Sequence, residues 1–229
     1  MFAQVSSDEV SAPDTGQPHD TNLAPMHASP LPPGLAFLAR QRLLPDGILD
    51  LIGPTVNLDM SDPRNRSTVI HLGTTTVGIR PQGFAALEAH RDGHVGSYVA
   101  TCCRVAAGMY HTLLMTLTIE DFWHSAFMDV MEPMYADLAY IPLLDLLGTV
   151  YDEVLLWCLC TCYIMVGHLS FHHLQAFHQL LDSFDIARKK DSWRTLRSLM
   201  ERYVYHHTMD LRLLWFLENE EENAKAMDS

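Results

Sequence analysis

From Gln82 onward apolar residues recur at spacings of three and four, and this pattern predicts helices over 82–92, 95–116, 119–131, 134–147, 149–184 and 191–218. Breaks fall at Gly93, Thr118, Pro133, Pro142 and the polar run Ala187-Arg188-Lys189-Lys190. Thr118, just ahead of Glu120 and Asp121, is suited to open one helix, and Asp191 to cap another. Upstream, residues 35–52 read as one or two short helices interrupted at the turn sequence Pro45-Asp46-Gly47. Residues 67–80 are β-branched with glycine punctuation, which predicts two short strands in a hairpin. Residues 1–33 are rich in Ser, Asp, Thr, Ala and Pro, show no period and end in Leu31-Pro32-Pro33, the composition of a flexible leader.

These elements predict an all-α fold, a bundle of six to seven helices with a short irregular or β-hairpin segment before it. The chain then divides into a leader (1–33), a small N-terminal segment (34–82), the helical bundle (83–218) and an acidic tail (219–229), with no internal repeat. Val154 to Phe171 runs 18 residues without Asp, Glu, Lys or Arg, the lower limit for a membrane span. Asp152 and Glu153 abut one end, no Lys or Arg lies within 15 residues of either end, and Cys, Thr, Ser and His168 interrupt the run, so a buried core helix is the expectation.

Composition sharpens this outline. The 229 residues are 48% hydrophobic and carry a formal charge of −13, enough apolar content for a real core and too much for a disordered chain. After Arg104 the next basic residue is Arg188, while residues 105–187 hold ten acidic side chains, a formal charge of −10 over 83 residues. Such a stretch cannot hold a phosphate backbone, whose affinity comes mainly from Lys and Arg, so nucleic acid is excluded as its partner. A neutral, cationic or metal ligand suits it, or an anion only if a metal supplies the positive charge. Five cysteines, Cys102, Cys103, Cys158, Cys160 and Cys162, form an odd count without Cys-x2-Cys spacing. That argues against a disulfide framework or a thiolate zinc site and for a reducing cytoplasm. Met1 to Val10 carries Asp8 and Glu9 and no basic residue, unlike a signal peptide.

Several histidines have a ligand-type partner one helical turn away: Glu120 with His124, His168 with His172, His178 with Asp182, and His206 with Asp210. Imidazole and carboxylate suit zinc, nickel, manganese or iron, and helix bundles build such sites from inward-facing pairs. Thirteen His and 28 acids give about 3 His–acid pairs by chance, so the pair count alone decides nothing. Context adds the argument. His124 lies among Phe122, Trp123 and Phe127, and His178 among Phe177, Leu180 and Leu181, and no local Lys or Arg is available to neutralise Glu120 or Asp182. The expected metal set is therefore Glu120, His124, His178, Asp182, His206 and Asp210, with Trp123, Phe127, Trp157 and Phe177 lining a ligand site. Within Phe171-His172-His173 one ring is expected inward and one outward, with His173 on the partly exposed face. No glycine-rich phosphate loop, GxSxG elbow or HExxH motif is present.

Glu120-Asp121-Phe122-Trp123-His124, then Ile141-Pro142-Leu143-Leu144, then His178-Gln179-Leu180-Leu181 and Asp191-Ser192-Trp193 follow one another in an order that resembles the FCD effector-binding domain of FadR-type GntR regulators. The resemblance spans roughly residues 83–207. It implies an all-helical domain in which Glu120, His124 and His178 hold a divalent metal that binds a small organic acid, and it implies a homodimer. It also implies a degenerate winged helix, with Asn65-Arg66-Ser67-Thr68-Val69 and Gly78-Ile79-Arg80-Pro81-Gln82-Gly83-Phe84 in the places of the recognition-helix start and wing. Two other readings stand beside this one. In an enzyme, Glu120, His124, Asp152 or Glu153, His178, Asp182, His206 and Asp210 would hold two irons that activate dioxygen. In a helical interaction protein there would be no site at all.

Overall fold

The computed structural model describes residues 31–44, 46–56, 58, 62, 65–71, 94–118, 135–136, 138–167, 169–186, 192–215 and 218. Its regular elements are helices α1 (Pro33–Arg40), α2 (Asp46–Ile52), α3 (65–71), α4 (Val95–Thr118), α5 (Asp152–Val166), α6 (Phe171–Ser183), α7 (Ser192–Met200) and α8 (210–215). Short 3-10 turns lie at Gly53–Thr55, Leu143–Leu146 and His207–Met209. There is no strand among the described residues, and the fold is all-α.

The charge-free run becomes the centre of the molecule. Every residue from Val154 to Met165 on α5 is buried, so the helix is apolar on all sides because all sides face protein. It is packed lengthwise by α4 and flanked by α6 and α7. No helix among the described residues is long and apolar enough to cross a membrane. The start of α5 is fixed by a reciprocal exchange. The Asp152 carboxylate accepts from the backbone N–H of Thr149 and of Gly148 at 3.1 Å each, while Thr149 Oγ1 accepts from Tyr151 N–H at 3.2 Å. Its end is fixed by Gly167, whose φ of +82° closes the helix through a 2.8 Å bond to the Tyr163 carbonyl. Ser170 then caps α6, its Oγ accepting from His173 N–H at 3.5 Å. The single helix expected over 149–184 is therefore two, because a left-handed glycine followed by an N-cap serine stops the backbone ladder where the apolar pattern runs on.

Three other expectations change. Residues 67–71, expected to open a hairpin, belong to the helix 65–71, and Val69 is buried with 1% exposure. Strand propensity is small beside the gain from burying a side chain against a core, and here burial decides. Residues 72–80 lie outside the described residues. The expected 134–147 helix is helical at residues 135, 136 and 138 and gives way around Pro142 to the 3-10 turn Leu143–Leu146. The 191–218 helix ends at Met200, because tertiary partners take its next carbonyls. Arg202 O accepts from Gly34 N–H at 2.7 Å, and Val204 O accepts from the Trp157 indole N–H at 2.9 Å. A methyl group on Gly34 would lie 2.7 Å from both Arg202 O and the Tyr203 ring, so only glycine lets α1 approach this closely.

Candidate functional site

Glu120, Trp123, His124 and Phe127 lie outside the described residues, as does His168. His178 and Asp182 share a face of α6, with His178 half-buried and Asp182 exposed. A carboxylate in water needs no compensating cation, so the electrostatic argument for a metal does not extend to Asp182. Trp157 and Phe177, expected to line a ligand site, are fully buried in the core. The Trp157 ring stacks on Tyr203 at 5.7 Å between centroids while its N–H is given to Val204.

His206 and Asp210 do not pair as helical neighbours. Residues 204–206 are not helical, and His206, in an extended conformation, caps the following 3-10 turn, its Nδ1 lying 2.9 Å from Thr208 Oγ1. Asp210 is occupied elsewhere. It accepts from Arg197 Nη1 at 3.0 Å and from the Tyr205 hydroxyl, while Arg197 Nε also binds Glu201 at 2.8 Å. Burial, and then the bond to Asp210, push the Tyr205 phenol up. Asp152 is a helix cap, and Glu153 Oε1 lies 2.9 Å from Arg202 Nη1, an ion pair without hydrogen-bond geometry. Burial raises the Glu153 carboxyl and Arg202 opposes the rise. Among the described residues no three His, Cys, Asp or Glu side chains come together as metal ligands.

The five cysteines are all buried thiols, with Cys103 Sγ and Cys158 Sγ 4.0 Å apart between α4 and α5. Burial pushes the Cys102, Cys158 and Cys160 thiols well up, and Cys162 to about 12. They behave as small core hydrophobes rather than nucleophiles.

The polar residues that do converge lie at the N-terminus of α6. His173 is the inward ring of its pair, 2% exposed, and His172 the outward one, the reverse of the expectation for His173. His173 Nε2 lies 3.0 Å from the Leu138 carbonyl, which can only accept, so Nε2 carries the proton and Nδ1 is left to accept. Tyr135 OH donates to that Nδ1 at 3.3 Å and accepts from Ser170 N–H at 2.7 Å. Burial is the main reason the His173 imidazole is pulled below its ordinary range, helped by His172 and opposed by the Leu138 bond. The chain of bonds fixes a neutral ring in one tautomer and ties the 135–138 segment to α6.

Above this network opens a cleft of about 520 Å³ between residues 139–145 and the start of α6. Its apolar wall includes Ile141, Pro142, Leu143 and Leu144, and its polar groups are Tyr140, Asp145, Ser170, His172 and His173. A smaller cleft of about 220 Å³ lies at the end of α5, where Arg212 Nη1 donates to the Ile164 carbonyl at 2.7 Å beside Trp215. Sequence reading passed over Tyr135, Tyr140, Asp145 and Ser170. The signals for the last two were a Pro-Leu-Leu-Asp turn and a serine three residues before His173. Comparison of the chain with known protein families, with curated proteins and with solved structures gives no match.

Proposed function

We propose that the protein is a helical binding module that holds a small organic molecule in the cleft between residues 139–145 and the N-terminus of α6. The observation that carries this reading is the cleft itself. A volume of about 520 Å³, mostly apolar walls and a few convergent polar groups are the usual make-up of a small-molecule site. The rigid His173–Tyr135–Ser170 chain beneath it keeps those walls in place, which lowers the cost of ordering on binding. The test is a thermal-shift panel of small organic compounds on the native chain and on Leu144→Trp, which fills the cleft from an exposed position. A ligand at a hundred times its Kd stabilises by about 2.7 kcal/mol. At least one compound should raise Tm in the native chain and lose that effect in the variant. A panel whose effects are all insensitive to Leu144→Trp refutes the reading.

The FCD resemblance supports ligand binding at a different set of residues, with a carboxylate effector bound through a divalent metal held by Glu120, His124 and His178. A metal would supply the positive charge that residues 105–187 lack. Elemental analysis decides this part separately. One zinc, nickel or manganese per chain, lost in His124→Ala, supports it, and two irons with oxygen consumption point to the enzyme instead. A metal-free protein removes the metal and leaves the cleft.

A further inference from the structure

We propose that the molecule held in this cleft is an organic cation, an amine or quaternary ammonium on an apolar body, with Asp145 as its counter-ion and the Tyr140 ring as the face its charge rests on. The proposal depends on the cleft reading above and adds the sign of the ligand's charge. Asp145 is exposed on the cleft wall and makes no ion pair among the described residues. In this it differs from Asp152, which accepts backbone hydrogen bonds, and from Glu153 and Asp210, which are paired with Arg202 and Arg197. Tyr140 lines the same cleft with 63% of its surface exposed, so its ring is open to a ligand. A carboxylate and an uncovered aromatic ring on one apolar cleft are the two elements that recognise an ammonium group, one by direct attraction and the other through the ring quadrupole.

The surrounding charges point the same way. No Lys or Arg is among the described residues lining the cleft, and none occurs in the sequence between Arg104 and Arg188. His173, at the base, is bonded as a neutral ring and adds no positive charge. An anion entering here would be repelled by the Asp145 carboxylate with no fixed cation among the described lining residues to offset it, whereas an ammonium would be attracted by the same carboxylate. The apolar wall from Ile141 to Leu144 takes the body of the ligand.

The experiment titrates the full chain at about pH 7.5, where ordinary imidazoles are neutral, with benzyltrimethylammonium, benzyl alcohol and benzoate. Affinity is read by calorimetry, and location by the ring-proton NMR shifts of His172. Exposed aromatic and carboxylate contacts are each worth a few-fold, so the cation should bind about tenfold more tightly than the alcohol, and benzoate least. Asp145→Asn should weaken the cation about threefold and leave the alcohol unchanged, and Tyr140→Leu should weaken the cation more than the alcohol. Benzoate binding as tightly as the cation, or Asp145→Asn weakening all three alike, overturns the charge assignment while leaving a ligand cleft. No binding by any of the three also overturns it, and the cleft reading is then decided by the Leu144→Trp comparison alone.

Discussion

His111 lies on α4 with 1% of its surface exposed, and burial pulls its imidazole down to about 4, against the opposing effect of a hydrogen bond to the Leu51 backbone. In the unfolded chain the same ring titrates near its ordinary value of about 6.5. Between those two pH values the unfolded state holds a proton that the folded state refuses, so stability is fully present above about 6.5 and falls as the pH drops towards 4. Each pH unit between the two values is worth about 1.4 kcal/mol, which makes the His111 contribution about 3 kcal/mol. That is a large share of the roughly 5–15 kcal/mol that holds an ordinary domain together. His173 and His206 are also pulled down by burial and act in the same direction. Glu153, raised by burial, acts in the opposite direction, because its neutral form is the better buried one.

Urea unfolding followed by tryptophan fluorescence at several pH values from 7.5 to about 4.5 measures the slope, and His111→Gln isolates the residue. The variant keeps a polar side chain but cannot charge. It should cost about 1 kcal/mol at neutral pH, and its deficit should shrink or reverse as the wild type loses stability on acidification. Wild-type and variant curves that stay parallel from neutral to acid would refute the assignment of the acid sensitivity to His111.

Four further outcomes follow from the packing. Gly34→Ala places a methyl 2.7 Å from the Arg202 carbonyl and the Tyr203 ring, and it should destabilise by about 1–3 kcal/mol in chemical denaturation; an unchanged midpoint would show that α1 does not dock so closely. Trp157→Phe leaves the Val204 carbonyl without its 2.9 Å donor and should cost about 1–3 kcal/mol beyond the lost ring volume, which a comparison with Trp157→Leu would apportion. Native protein should show no fast reaction of its five buried thiols with a thiol reagent, and all five should react in denaturant. Because burial raises the Cys102, Cys158, Cys160 and Cys162 thiols, their contribution is fully present below about pH 9 and is lost as the pH rises above it, so stability should fall between about pH 9 and about pH 10.5; flat stability over that range would count against it.

The central helix was legible because its signal is compositional. A run from Val154 to Phe171 without a charge has to be buried somewhere, and the flanking Asp152 and Glu153 placed that burial in a protein core. Its boundary was less legible, since Gly167 and Ser170 lie inside the apolar pattern and act through a backbone conformation and a cap rather than through period. The reading of 67–71 as the start of a strand failed for a related reason: β-branched residues fit a helix when one of them, Val69, gains a buried contact.

The candidate site separates sequence distance from spatial distance. The stretch from 105 to 187 contains no basic residue, yet Glu153 within it meets Arg202, and Arg212 reaches the Ile164 carbonyl at the end of α5. Glu153 thus takes its cation from the C-terminal segment, so the charge balance at a given carboxylate is set by spatial neighbours, as the cation-free lining around Asp145 also is. The same segment defeats the His206–Asp210 spacing. Four residues make one helical turn only where the intervening backbone is helical, and here the carbonyls of Arg202 and Val204 are committed to Gly34 and Trp157. Beside those two tertiary bonds the chain is non-helical from 204 to 206, and Asp210 is left to Arg197 and Tyr205. What separates Asp145 from the equally exposed Asp182 is its place beside the Tyr140 ring on an apolar cleft wall, and that setting, rather than a missing partner, makes it a group for a ligand.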